Sequence, residues 1–146
     1  MSDTAAGPHD ALHRPLRLGP ATARNRVVFG AHHTLFAEPS STFGEPGVVG
    51  ERLVGYLAER AAGGVGTVIC GQTSVHPDTA AQVANLPIAW DRQVIGGWSL
   101  LARSLQEHGA LTFVQLAHNG GMVPGDWTKR PAVAPSSIAY LHESPL

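Results

Sequence analysis

Three short apolar runs, each followed by a long polar or glycine-rich stretch, constrain most strongly what this chain can fold into. The runs lie at residues 27–31, 65–70 and 111–116, and their β-branched and aromatic content predicts buried parallel strands. Two amphipathic segments lie between them, so the predicted order is strand, helix, strand, helix, strand. The helix-to-strand links are short and the strand-to-helix links are long, which favours a (β/α) barrel. A doubly wound sheet stays open, although no glycine phosphate fingerprint follows a strand.

The two predicted helices have apolar faces at helical spacing. Residues 51–62 carry the first, and Gly63-Gly64 supply its C-terminal stop. Asp91 caps the second, which ends at Gly109. The predicted core-facing residues are Leu53, Val54, Leu57 and Ala61 in the first helix and Val94, Ile95, Trp98, Leu101, Ala102 and Leu105 in the second.

The chain ahead of the first strand divides at about residue 14. Residues 1–14 are polar and predict a flexible N-terminal arm, whereas residues 15–146 form the folded part. Two alternating pieces around Gly19-Pro20 predict a small β-hairpin. The stretches 32–50 and 71–87 predict long loops, and loops of that length usually serve a site.

Charge and composition argue against several classes of protein. A net charge of −1 without any basic block argues against a nucleic-acid partner. No run approaches the length of a membrane span and no N-terminal signal peptide is recognisable, so we expect neither a membrane partner nor secretion. The single cysteine, Cys70, is expected to be a small buried core residue in a reducing, cytoplasmic compartment.

Polar side chains at the predicted strand ends are the candidate site residues. Gln115 and His118 close the third strand, and an amide offers the donor and the acceptor that a pyrimidine-like ring edge requires. His32 and His33 follow the first strand, and adjacent residues of an extended segment point in opposite directions, so no shared metal ion is expected. The glycines at 63–66 run from helix into strand, opposite to a phosphate loop, and predict only a helix stop.

Five motifs in a fixed order carry a resemblance to a known family. They are Pro-Leu-Arg-Leu-Gly at 15–19, Asn-Arg-Val-Val at 25–28, Tyr-Leu-Ala-Glu-Arg-Ala at 56–61, Gly-Val-Gly at 64–66 and Gln-Leu-Ala-His-Asn-Gly at 115–120. Together with His33-Thr34 shortly after Asn-Arg-Val, this set resembles the N-terminal part of the Old Yellow Enzyme family of NADH:flavin oxidoreductases. The 2,4-dienoyl-CoA reductase-like branch is the most similar in pattern, and the resemblance runs from about residue 16 to residue 137.

The resemblance implies the N-terminal part of a TIM (β/α)8 barrel, with about three of the eight strands, a β-hairpin across the floor and FMN at the strand ends. It places Ala31, His32 and His33 against the flavin after the first strand, with His33 beside the reactive N5/O4 edge. It also implies flavin contacts for Gln72, just after the second strand, and for Gln115 at the pyrimidine edge.

The activity implied by the resemblance is that of an FMN-dependent oxidoreductase, which moves a hydride from NAD(P)H through FMN to an activated alkene of a small-molecule substrate. An amine dehydrogenase on the same scaffold is a second enzymatic alternative, and a non-catalytic remnant that docks onto another chain is the rival. The family's proton donor, substrate-binding residues and phosphate site are expected beyond residue 146. The chain alone is therefore expected to be inactive and to need a completing C-terminal segment or a homo-oligomeric partner.

Two positions depart from the family pattern. Gln72 stands where the family often has a small residue, which would restrict its flavin contact to the backbone. Gly121 stands where the family motif usually has an arginine.

Overall fold

The computed structural model of the chain describes residues 7–39, 46–79, 85–122, 131 and 133–136. Its helices and strands follow in chain order: α1 (Asp10–His13), β1 (Leu16–Leu18), β2 (Ala21–Ala23), β3 (Val28–Phe29), β4 (Glu38–Pro39), β5 (Pro46–Val48), α2 (Glu51–Ala62), β6 (Thr67–Ser74), α3 (Ile95–Glu107) and β7 (Leu111–Ala117). Short 3₁₀ turns lie at Pro77–Thr79, Arg92–Val94 and Gly120–Met122. Within the described ranges, no helix is long and apolar enough to cross a membrane.

A three-stranded parallel sheet in the order β3-β6-β7 organises the chain. Val28 lies opposite Thr67 on one side of β6, and Val68 lies opposite Thr112 on the other. Each neighbouring pair of strands is joined through a helix, as parallel pairs require. The three strands were predicted to be parallel and to lie side by side in chain order, and this arrangement is confirmed.

One apolar core fills the space between the sheet and the two long helices. The predicted face of α2 is confirmed, because all four of its core-facing residues are buried. The core is formed by Val49, Leu53, Val54, Leu57, Ala61, Val68, Cys70, Leu101, Leu105 and Ala110. Complete burial of a leucine side chain stabilises the folded state by about 1.5–3 kcal/mol relative to leaving it exposed, so this layer holds the helices on the sheet.

The second long helix begins as the sequence predicts, but one residue of its predicted apolar stripe is exposed. The Asp91 carboxylate accepts a hydrogen bond from the Gln93 N–H over 2.9 Å, which caps the 3₁₀ turn that leads into α3. Val94 and Leu101 are buried, whereas Ile95 is 53% exposed. Ile95 lies about 120° around the helix from Leu101, since successive residues are about 100° apart, and it therefore misses the core-facing side.

The predicted loop at residues 32–50 contains two short strands instead. β4 pairs with β5 antiparallel, with Glu38 opposite Val48. The Glu38 carboxylate then lies at the start of α2, where it accepts a hydrogen bond from the Arg52 N–H over 3.5 Å. A Cβ at Gly50 would collide with that carboxylate, so the α2 N-terminus is closed by a side chain from a distant strand. The prolines and glycines of this stretch obscured the pairing; residues 40–45 lie outside the described part.

The first two parallel strands have different bounds from those predicted. Val28–Phe29 is shorter than the predicted run at 27–31, and Thr67–Ser74 starts later and ends later than 65–70. Ahead of β6, side chains hold two carbonyls near the end of α2: Arg24 donates to the Ala61 oxygen over 2.6 Å, and Asn25 donates to the Gly64 oxygen over 2.7 Å.

The strand β6 passes through the glycine that was expected to end it. The Gly71–Gln72 peptide bond is cis, and the pairing register with β7 shifts between Cys70 and Thr73. Beyond this point Ser74 continues the hydrogen bonding, because its N–H donates to the Pro87 carbonyl over 3.0 Å. The predicted loop from residue 71 is therefore strand for its first four residues.

The N-terminal region contains more structure than a free arm. Leu16 lies opposite Ala23 in an antiparallel pair formed by β1 and β2, with β2 against β7. Residues 7–14 of the predicted arm include the short helix α1, and the Arg26 N–H donates to the Leu12 carbonyl over 2.8 Å. Residues 1–6 lie outside the described part, so the division at residue 14 stays a prediction.

Candidate functional site

The carboxyl ends of β3, β6 and β7 bring two of the predicted site positions, Ala31 and Gln115, into one close-packed group with Gly71. A Cβ built on Gly71 would lie 2.7 Å from the Ala31 Cβ and 2.7 Å from the Gln115 Oε1. Real Cβ atoms do not approach other atoms so closely, so only glycine fits at this position. Ala31, Gly71 and Gln115 therefore form a tight group, which we call the glycine cradle. Gly71 was not among the predicted site residues, because it was expected to follow the end of the second strand.

The Gln115 side chain is available to a ligand. It is exposed on β7, and within the described part of the chain its amide makes no hydrogen bond. An amide group presents an N–H donor beside a carbonyl acceptor, so it can pair with a ring edge that carries the complementary acceptor and N–H. The glycine cradle thus combines a close-packed backbone with the Gln115 amide, which has no partner among the described residues.

A second group at the same strand ends joins three polar side chains. The His33 Nε2 lies 2.8 Å from the Gln72 Oε1, and the Gln72 Nε2 donates to the Asn119 Oδ1 over 2.5 Å. Gln72 was predicted to follow the second strand but lies within β6, since that strand continues to Ser74. Its side chain forms hydrogen bonds with His33, which follows β3, and with Asn119, which follows β7.

The side chain of His32 lies apart from both groups. Its Nε2 lies 3.2 Å from the Tyr56 hydroxyl on α2, and its ring packs edge-on against Phe29 with centroids 5.1 Å apart. The adjacent histidines thus point in opposite directions, as an extended segment requires. The His32 side chain is held at α2, so the predicted flavin contact of His32 would have to come from its backbone. Among the residues that the structure describes, no three His, Cys, Asp or Glu side chains could hold a metal ion together.

The Cys70 side chain lies in the apolar core between β6 and the two long helices. Burial raises the pKa of its thiol from the ordinary value of 9.0 to about 11. The thiolate is the reactive form, so the folded thiol is expected to be inert at neutral pH. Its position confirms the predicted role of a small apolar core residue.

We expect the Cys70 thiol to react with a disulfide reagent at pH 8 far more slowly in the folded chain than in urea. A raised folded pKa means that the unfolded chain loses the thiol proton first as pH rises. The stability that this group contributes is then present below pH 9.0 and is lost toward about pH 11. Because this is the only cysteine, absorbance at one wavelength follows it directly. Equal rates in buffer and in urea would show that the thiol is accessible in the folded state.

Comparison with known proteins agrees with this geometry. Residues 11–145 match the sequence model of the NADH:flavin oxidoreductase / NADH oxidase family. The chain is 36% identical over 132 residues to an N,N-dimethylglycine/sarcosine dehydrogenase of Chromohalobacter salexigens, covering 88% of this chain and 18% of that protein. It is 35% identical over 133 residues to a probable N-methylproline demethylase of Rhizobium meliloti, again covering 88% of this chain and 18% of the relative.

The fold agrees as well. An Old Yellow Enzyme homologue from Zymomonas mobilis superimposes with a TM-score of 0.73 at 28% identity, covering 88% of this chain and 34% of that one. The chain spans about a fifth of the length of the two curated relatives and about a third of this solved structure. The family match extends over nearly the whole sequence, and the parallel strands of the sheet lie within it. The chain therefore belongs to the NADH:flavin oxidoreductase / NADH oxidase family.

Proposed function

We propose that this chain is the N-terminal part of an FMN-dependent oxidoreductase and that its strand ends hold the pyrimidine side of the flavin ring. When bound, FMN would accept a hydride from NAD(P)H and pass reducing equivalents to a small-molecule substrate. The observation that carries the proposal is the Gln115 amide of the glycine cradle, which has no hydrogen-bond partner among the described residues and lies at the carboxyl ends of the parallel strands, where ligands bind.

The residues present fit this part of the cofactor. Gln115 can donate to the ring oxygen O2 and accept from the neighbouring N3–H at once, which matches the donor and acceptor pattern of that edge. The lack of a side chain at Gly71 lets the Ala31 methyl group and the Gln115 side chain pack against the backbone of β6, which positions the Gln115 amide at the strand ends. His33 and Gln72 lie at the same strand ends and are proposed to lie along the ring.

A completing segment is part of the proposal, because the sheet has two edges that lack a partner among the described residues. β3 and β7 each pair on one side only, with β6 between them. Apolar side chains near these edges are exposed, including Phe113 at 45% and Leu116 at 65%. We propose that further strands continue the sheet into a TIM barrel of eight strands, with this chain supplying three. A second copy of the chain is the alternative occupant of these edges.

The substrate class has two candidates. Transfer of a hydride to an activated alkene is the activity implied by the Old Yellow Enzyme resemblance, and the structural likeness to an Old Yellow Enzyme homologue supports it. Oxidation of an N-methyl amine is the second candidate; here FMN would take the hydride from the amine instead of from NAD(P)H, and a separate electron acceptor would reoxidise it. This second candidate is supported by two relatives at 35–36% identity, which are named for the demethylation or dehydrogenation of N-methylated amino acids. Anaerobic assay of a full-length protein separates the two: sarcosine alone should bleach the bound FMN in the second case, and an α,β-unsaturated ketone should be reduced at the expense of NAD(P)H in the first.

We expect the 146-residue chain alone to bind FMN weakly or not at all, and a chain extended by the remaining strands to purify with bound FMN. The cradle reaches only one side of the ring, so most of the contacts that a flavin mononucleotide needs come from elsewhere. Quenching of FMN fluorescence during titration measures the FMN affinity of the short chain and of the extended chain. Stoichiometric binding of FMN by the short chain at submicromolar concentration would refute the proposed division of the site, and an extended protein without flavin affinity would refute the proposed function.

A further inference from the structure

Three polar side chains form a continuous hydrogen-bonded row across the ends of all three parallel strands. His33 follows β3, Gln72 lies in β6 and Asn119 follows β7. The two links of the row measure 2.8 Å and 2.5 Å between heavy atoms. Each of these side chains loses rotamer freedom when it is fixed, so the hydrogen bonds of the row must offset that cost.

The row has a direction, which the amide of Gln72 sets. A glutamine amide has one acceptor end and one donor end, and the Gln72 donor end is used by the Asn119 Oδ1. Its acceptor end, the Oε1, must then face His33. An acceptor opposite the His33 Nε2 requires that nitrogen to carry a proton. The row therefore selects one of the two neutral tautomers of His33.

We propose that Asn119 is a positioning residue: through Gln72 it fixes His33 as the tautomer with its proton on Nε2. The neutral ring then has Nδ1 as a hydrogen-bond acceptor, and the described part of the chain gives this atom no hydrogen bond. His33 would thereby accept from an N–H group of a bound ligand. That last step rests on the proposed function, whereas the tautomer and its dependence on Asn119 do not.

The arrangement follows a general pattern in protein sites, in which an outer residue orients a residue that meets the ligand. Asn119 is partly buried beyond the end of β7, and it lies one residue past the exposed His118. Asn119→Leu keeps a similar size but removes the acceptor for Gln72. Asn119→Asp keeps an acceptor at the same place and therefore should keep the row.

The test is an imidazole spectrum of the full 146-residue chain without FMN. Long-range ¹H–¹⁵N correlation distinguishes the two neutral tautomers, and comparison with His33→Gln identifies the His33 signals. We expect the Nε2–H form for His33 in the original chain and in Asn119→Asp. In Asn119→Leu the Gln72 amide loses the hydrogen bond that orients it, which is worth about 1 kcal/mol. Exchange of the His33 Nε2 proton with water should therefore accelerate about five- to tenfold.

His32 supplies an internal control, since it bonds to Tyr56 on the helix side and should be unaffected. The Nδ1–H form of His33 in the original chain would overturn the proposal without any variant. Unchanged exchange in Asn119→Leu, or equal acceleration in Asn119→Asp, would overturn it as well. The experiment contains no flavin, so its failure is distinct from a failure of FMN binding.

Discussion

Replacing Leu101 with alanine should lower the free energy of unfolding by about 2–5 kcal/mol. Leu101 is fully buried in the middle of α3, and it belongs to the core that joins both helices to β6. The substitution removes three carbon atoms and leaves a cavity that rigid neighbours fill only in part. A small domain has a total stability of about 5–15 kcal/mol, so this change alone would consume a large fraction of it.

The neighbouring residue offers a matched control for this prediction. Leu100 lies on the same helix but is 40% exposed, and Leu100→Ala makes the same chemical change away from the core. Its expected cost is well below that of Leu101→Ala, within about 1 kcal/mol. Urea titration followed by circular dichroism at the helix band measures both. Equal losses for the two variants would show that the core does not lie between α3 and the sheet.

Replacing Gln115 with leucine should weaken FMN binding tenfold or more in a barrel completed around this segment. Leucine has a similar size but can neither donate to the flavin O2 nor accept from N3–H. A buried pair of such hydrogen bonds contributes about 1–3 kcal/mol, and about 1.4 kcal/mol corresponds to a factor of ten in affinity. Gln115→Glu should in addition lower the flavin potential, because it places negative charge beside the reduced ring.

The same substitution at Gln106 is the control, since Gln106→Leu changes an exposed residue near the end of α3, outside the site. Flavin affinity from fluorescence titration, and potential from anaerobic spectroelectrochemistry, should match the original protein in this variant. If Gln115→Leu and Gln115→Glu also retain the original affinity and potential, then Gln115 is only a structural residue at a strand end, and the proposed ring contact is wrong.

The helices and the order of the parallel strands could be predicted because their signals are local. Leu53 and Leu57 repeat at helical spacing, and Gly63-Gly64 end the helix directly, so α2 agrees with the prediction over its full length. The extension of β6 through Gly71 could not be predicted in this way. Glycine normally weakens a strand, and here it is required by the close approach of Ala31 and Gln115, which are distant in sequence.

The strand-end positions of the candidate site residues could be predicted, but the contacts between their side chains could not. Placement of Gln115 and His33 at strand ends follows from the βαβ pattern, whereas the direction of each side chain depends on neighbours from other strands. Asn119 is the clearest case, because its partner Gln72 lies 47 positions away along the chain. The one available signal was a polar residue two positions after the end of β7, and this position does not indicate which residue its side chain contacts.

The unequal lengths of the two open edges bear on the order in which such a protein assembles during synthesis. Domains begin to fold from the N-terminus as the chain leaves the ribosome. In the proposed barrel, the seven residues Leu111–Ala117 of β7 would form a long template for the strand that pairs with them next. The β3 edge, Val28–Phe29, is only two residues long, and in the proposed barrel it would pair last, with the strand that closes the sheet. In the proposed barrel, the β3 edge would stay open longest, and its short length makes it the poorer target for pairing with another nascent chain.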